Sequence, residues 1–107
     1  MKNYVLVKVI GGGQEQTFKT NPIAGKKDKP IYWNETITIP VQNPRDMKLE
    51  VSVMDKEMIL SDDVCGTGKI NVERCAMLGG EGTYQLRLYG KKIQDYTGDL
   101  NFTTRFR

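Results

Sequence analysis

An all-β fold, an antiparallel sandwich of about seven strands, follows from three features of the sequence. Two runs alternate strictly between apolar and polar residues: Ile37, Ile39 and Val41 against Thr36 and Thr38, then Leu49, Val51 and Val53 against Lys48, Glu50 and Ser52. Period two is the mark of a strand with one buried and one wet face. Further short apolar runs recur between Gly, Pro and Asn clusters, and no long helical period appears. At 107 residues there is room for one modest core, so residues 1–107 are read as a single domain.

Residues 4–10 (YVLVKVI) place Val5, Val7 and Val9 on one face and Leu6 and Ile10 on the other. Apolar side chains on both faces predict a strand that lies centrally or is covered on both sides. Gly11-Gly12-Gly13 breaks it as a turn; with no helix and no GK[ST] behind it, it is no phosphate cradle. Residues 14–20 (QEQTFKT) return as a strand, and residues 25–30, with Lys26, Lys27 and Lys29, form a basic surface loop. Residues 32–41 and 48–53 then read as a hairpin or a crossover between sheets, with the turn at QNPRD. Residues 55–63 make an acidic loop, residues 66–72 a short strand, and residues 72–78 (VERCAML) two helical turns. Residues 83–89 point Tyr84, Leu86 and Leu88 inward, and residues 98–106 do the same with Leu100, Phe102 and, further on, Thr104 and Phe106.

Composition removes whole classes of chemistry. There is no histidine, and serine occurs only at positions 52 and 61, so the common general base, the common zinc ligand and Ser/His or Cys/His pairs are absent. An enzyme is not expected. Cys65 and Cys75 sit in apolar company and read as small buried hydrophobes in a reducing compartment. No run approaches the ~18 apolar residues of a membrane span, and the N-terminus has no signal-peptide pattern, so any membrane work is peripheral. A net charge of +3 aids attraction to an anionic surface without indicating nucleic acid.

Trp33-Asn34-Glu35-Thr36 opening a strand, followed by residues 48–55 (KLEVSVMD) and Ser61-Asp62-Asp63-Val64-Cys65-Gly66, resembles the C2 domain. That family comprises small calcium- and phospholipid-binding Greek-key β-sandwiches of signalling and membrane trafficking. The similarity runs over nearly the whole chain, through Tyr96-Thr97-Gly98-Asp99-Leu100, and is greatest to the short stand-alone forms of plants and protists.

The resemblance implies a non-catalytic, cytoplasmic module that associates peripherally with acidic phospholipid membranes. It also implies calcium ligands at Asp55, Glu57 and Asp63, followed by Gly66, with Asp62 as a peripheral ligand or a plain surface charge. Calcium takes roughly six to eight oxygens, so three carboxylates need water or lipid phosphate to complete the shell. Glu57 departs from the family's usual aspartate by one methylene. The family's first strand and the loop after it, which carries two more aspartates, should precede Tyr4, where only Met1, Lys2 and Asn3 stand. Lys2 falls where one of those aspartates belongs, and its ammonium there would make the domain independent of calcium. An N-terminally truncated sandwich also exposes a strand edge that a second copy or a partner's strand would fill.

Met58, Ile59 and Leu60, at the tip of the acidic loop, are expected to enter a bilayer interface, and Lys26, Lys27 and Lys29 to meet anionic lipid. Trp33 is expected to pack in the core or at its rim. The alternative function is a calcium-independent protein-interaction scaffold, with a strand-exchanged dimer as one form of it.

Overall fold

The computed structural model describes residues 2–13, 15–26, 28–59, 61–77, 81–90 and 96–105. In chain order the elements are β1 (Lys2–Gly11), β2 (Gln16–Lys19), β3 (Ile23–Ala24), a 3-10 turn at Pro44–Asp46, β4 (Met47–Lys56), β5 (Asp63–Asn71), α1 (Val72–Met77), β6 (Glu81–Tyr89) and β7 (Tyr96–Arg105). All strand pairs are antiparallel, in the order β2-β1-β4-β5-β6-β7, with β3 also pairing with β1.

β1 is central, as its two apolar faces predict. It pairs with β4 through ten consecutive residues, from Lys2↔Lys56 to Gly11↔Met47. The ladder sets Val5, Val7 and Val9 opposite Val53, Val51 and Leu49, and β5 continues the row with Gly66, Gly68 and Ile70. Alternation puts these residues on one face, which becomes the core. The path turns at the β5–β6 junction, where Thr67↔Tyr89 is the one register pair. There the β6–β7 hairpin folds across the core face, so that Val5, Val7, Val51, Ile70, Leu88 and Leu100 form one buried cluster. Burial of side chains of this size contributes roughly 1.5–3 kcal/mol each. A second cluster of Val9, Met47 and Val72 closes the far end, beside the short helix.

Two glycines let the layers approach. A Cβ on Gly68 would lie 2.7 Å from the Leu86 Cγ and 2.8 Å from the Arg87 carbonyl oxygen. Gly66 is just as confined, by Leu88 and Thr97.

Residues 31–41 differ from expectation. They form no strand, although Trp33, Ile37, Ile39 and Val41 turn their side chains onto the core clusters as the alternation requires. Asn34 takes a left-handed φ of 51°, and Pro40 lacks an N–H, so a regular ladder is interrupted twice. Side chains hold the segment instead: the Trp33 indole N–H donates to the Asn3 carbonyl at 3.0 Å, and Glu35 accepts the Asn21 N–H at 2.7 Å. Alternation here encodes a buried face without encoding a neighbour. The strand predicted over residues 66–72 begins earlier, at Asp63, which shortens the acidic loop to residues 57–62. Cys65 is a free thiol, as expected, but exposed rather than buried: the β4–β5 register shifts between Val53↔Gly66 and Met54↔Val64, which leaves Cys65 as the unpaired residue of a bulge, with the Asn3 side-chain amide 3.7 Å from its sulfur. The Cys75 side chain and the expected inward Phe106 lie outside what the structure describes.

Gly68→Ala is expected to destabilise the fold by about 1–3 kcal/mol, because Leu86 and the Arg87 carbonyl must move apart. Urea unfolding measures this, and an unchanged midpoint would contradict the tight contact between layers.

Candidate functional site

The ladder register brings several connections to one end of the molecule. Asn3 pairs with both Ile23 and Asp55, and Asp55 pairs with Asp63. The basic segment after β3 and the loop of residues 57–62 therefore leave the sheet side by side. Trp33 is tied to the same Asn3, which places Tyr32 nearby. β7 begins here too, since Thr97 abuts Gly66 and Tyr96 pairs with Tyr89.

Two interactions shape the 57–62 loop. The Asp62 Oδ1 accepts the Glu57 backbone N–H at 2.9 Å, and its Oδ2 accepts the Tyr4 hydroxyl at 2.6 Å. The Tyr4 hydrogen bond, foremost, and the Glu57 amide hold the Asp62 carboxyl below the usual aspartate range, with smaller help from the Lys56 and Lys19 charges. The same hydrogen bond raises the Tyr4 phenol, assisted by burial and by the Asp62 charge. At the tip, Met58 is 99% and Ile59 93% exposed. Leu60 and Lys27 lie outside the described residues, while Lys26 and Lys29 are exposed.

The carboxylates marked in the sequence do not converge. Among the described residues, no three of Asp, Glu, Cys or His are grouped closely enough to hold a metal ion. Asp55 shares the core face with Val53 and is only 8% exposed, and its Oδ1 has no hydrogen-bond partner. Such an orphaned, buried carboxylate oxygen is costly and fits an incoming cation or donor. Asp63 is its cross-strand neighbour. Burial, with the nearby charges of Asp55 and Asp63, raises the Cys65 thiol. Asp62 sits on the opposite side, both its oxygens engaged. Lys2 is one residue out of step with Asn3, so alternation puts it on the face away from Asp55 rather than over a metal position.

Sequence reasoning assigned Tyr4, Tyr32, Val64 and Tyr96 no role at this end of the molecule. Tyr4 is hidden within a valine-rich run, and its partner Asp62 is 58 residues away. The exposed Val64 reads as core until its register opposite Met54 is known.

A two-layered antiparallel β domain with several of its loops gathered at one end is an architecture suited to presenting those loops to a ligand. The family model of the C2 domain matches residues 1–87, and the chain belongs to that family. Its structure is similar to that of a C2 domain of plant extended synaptotagmin 1, with a TM-score of 0.73 and 21% identity over 99% of this chain and 79% of that chain. At that identity the likeness establishes the fold. No curated protein matches the sequence.

The Asp62 carboxyl is expected to titrate below the ordinary aspartate value, because its charged form holds two hydrogen bonds. Its contribution to loop order is present at neutral pH and is lost as pH falls through that lowered pKa, below about pH 4. Carbon-detected NMR titration checks this; an ordinary aspartate value that Tyr4→Phe leaves unmoved would contradict it.

Proposed function

We propose that this chain docks end-on to membranes containing acidic phospholipid, led by the 57–62 loop. One observation carries the reading. Of the six large hydrophobic side chains exposed among the described residues, Tyr32, Met58, Ile59, Val64 and Tyr96 belong to the end where β1 starts and β4 finishes; Ile10 alone is elsewhere. In water this concentration is unfavourable, and burial at a bilayer boundary offsets it by roughly 1.5–3 kcal/mol per side chain fully buried. Tyrosines suit the headgroup level, apolar at the ring and polar at the tip.

Lys26, Lys27 and Lys29 supply the attraction to anionic lipid, about 1 kcal/mol each near the surface. C2 domains are in general binding modules rather than catalysts, and none of the helices among the described residues is long and apolar enough to cross a membrane. The contact is therefore peripheral, and it suits a cytoplasmic signalling or trafficking role. Calcium enters at Asp55, whose buried Oδ1 has no partner; Asp63 and Glu57 would have to move toward it to become further ligands, with lipid phosphate completing the shell. Asp62 would join only by releasing Tyr4.

A second reading rests on a different observation: β7, ten residues long, has β6 as its one ladder neighbour among the described residues. An open edge of that length is a template for strand addition, by a second copy of this chain or by a protein partner, in a calcium-independent scaffold. Analytical ultracentrifugation at high concentration is expected to show dimers under that reading, and a strict monomer removes its homodimer form.

Changing Met58, Ile59 and Leu60 together to Asn is expected to weaken binding to phosphatidylserine vesicles by about 10- to 100-fold. Sedimentation with calcium and with chelator separates the metal bridge from insertion. Undiminished binding by the triple variant would overturn the docking mode.

A further inference from the structure

We propose that Tyr4 is a positioning residue for membrane docking, its hydroxyl holding the 57–62 loop in the shape that projects Met58 and Ile59; this rests on the docking mode above. The tip cannot hold itself. Met58 and Ile59 are almost wholly exposed, so no packing fixes their direction. Within the loop, the Asp62 side chain closes a ring onto the Glu57 amide at 2.9 Å, with Met58 and Ile59 exposed beyond it. That ring is local and would pivot freely on the ends of β4 and β5. Among the described residues, the hydrogen bond from Tyr4 to Asp62, 2.6 Å long, is the one side-chain hydrogen bond from this loop to another strand, the Lys19 charge on β2 adding only a weaker, undirected attraction.

The anchor itself is rigid. Tyr4 is 8% exposed, and its backbone lies in the β1–β4 ladder opposite Met54. Its ring is thus fixed by burial while its hydroxyl reaches across to the loop. A carboxylate acceptor makes the bond strong for its kind, since charge-assisted hydrogen bonds exceed neutral ones. The result is a chain of three groups, Tyr4 hydroxyl, Asp62 carboxylate and Glu57 amide, that orders the tip before any lipid arrives. Binding then loses less conformational freedom, and affinity is higher than for a loop that must be ordered at the surface. No cation takes part in this chain, so tip presentation persists in chelator.

Tyr4→Phe keeps the buried ring and removes only the link. In chelator, with phosphatidylserine vesicles, it is expected to lower apparent affinity roughly 3- to 10-fold. The Glu57 amide should exchange faster with solvent by NMR, while the thermal midpoint changes little. In a background where Met58 and Ile59 are both Asn, Tyr4→Phe should have no further effect on vesicle binding, a coupling that a merely structural role would not produce. Unchanged Glu57 exchange and unchanged affinity in Tyr4→Phe would overturn the positioning role. Equal losses with and without the apolar tip would overturn it as well. If the tip variant alone binds vesicles normally, the docking mode itself fails, and the Glu57 exchange then reports whether the link exists without that purpose.

Discussion

Ten consecutive partners lock β1 to β4 without a register shift, and the placement of everything functional depends on that ladder. Antiparallel register is all-or-none with respect to faces, so a slip by one residue would send Val5, Val7 and Val9 into water and Tyr4 into the core. With the register as it is, the ladder terminates at Lys2 and Lys56, one pair beyond Asn3 and Asp55, and the chain leaves β4 there. The basic segment, the acidic loop and the start of β7 are neighbours because three different strands end at this level.

The same alternation separates the acidic side chains into two roles. Asp55 ends the core-facing row, buried and with one oxygen unpartnered. Asp62 meets Tyr4 on the outer side of β1 and spends its charge on shaping the loop. One end of the molecule thus carries a carboxylate short of partners, a loop braced from the side, and an apolar tip facing outward. In the proposed docking mode, a phosphate-rich, partly apolar boundary is what meets that combination.

The strand faces were legible in the sequence because period two is local and strong: Val5, Val7 and Val9, Val51, Leu88 and Leu100 are buried where alternation places them. The exposed tip was legible as well, since flanking acids make inward folding of Met58 and Ile59 expensive. Pairing was less so. Residues 31–41 alternate like a strand yet lie outside every ladder, because face burial depends on side chains while pairing depends on a neighbour, which the local sequence does not encode. The Tyr4–Asp62 contact and the convergence of Tyr32, Val64 and Tyr96 were out of reach for the same reason, each arising from a meeting of distant segments. Cys65, read as a small buried hydrophobe, is exposed at a bulge in β5, and where a ladder slips by one residue depends on the partner strand.

Membrane depth at the tip tests the central claim most directly. Ile59→Cys, in a background with Cys65 and Cys75 replaced by Ser, can carry an environment-sensitive fluorophore, with phosphatidylserine vesicles brominated at defined acyl positions as quenchers. Strong quenching by shallow bromines at position 59, and none for the same label placed at Ile10, is the expected result. A label at position 59 that stays in water on vesicles the protein has bound would contradict it.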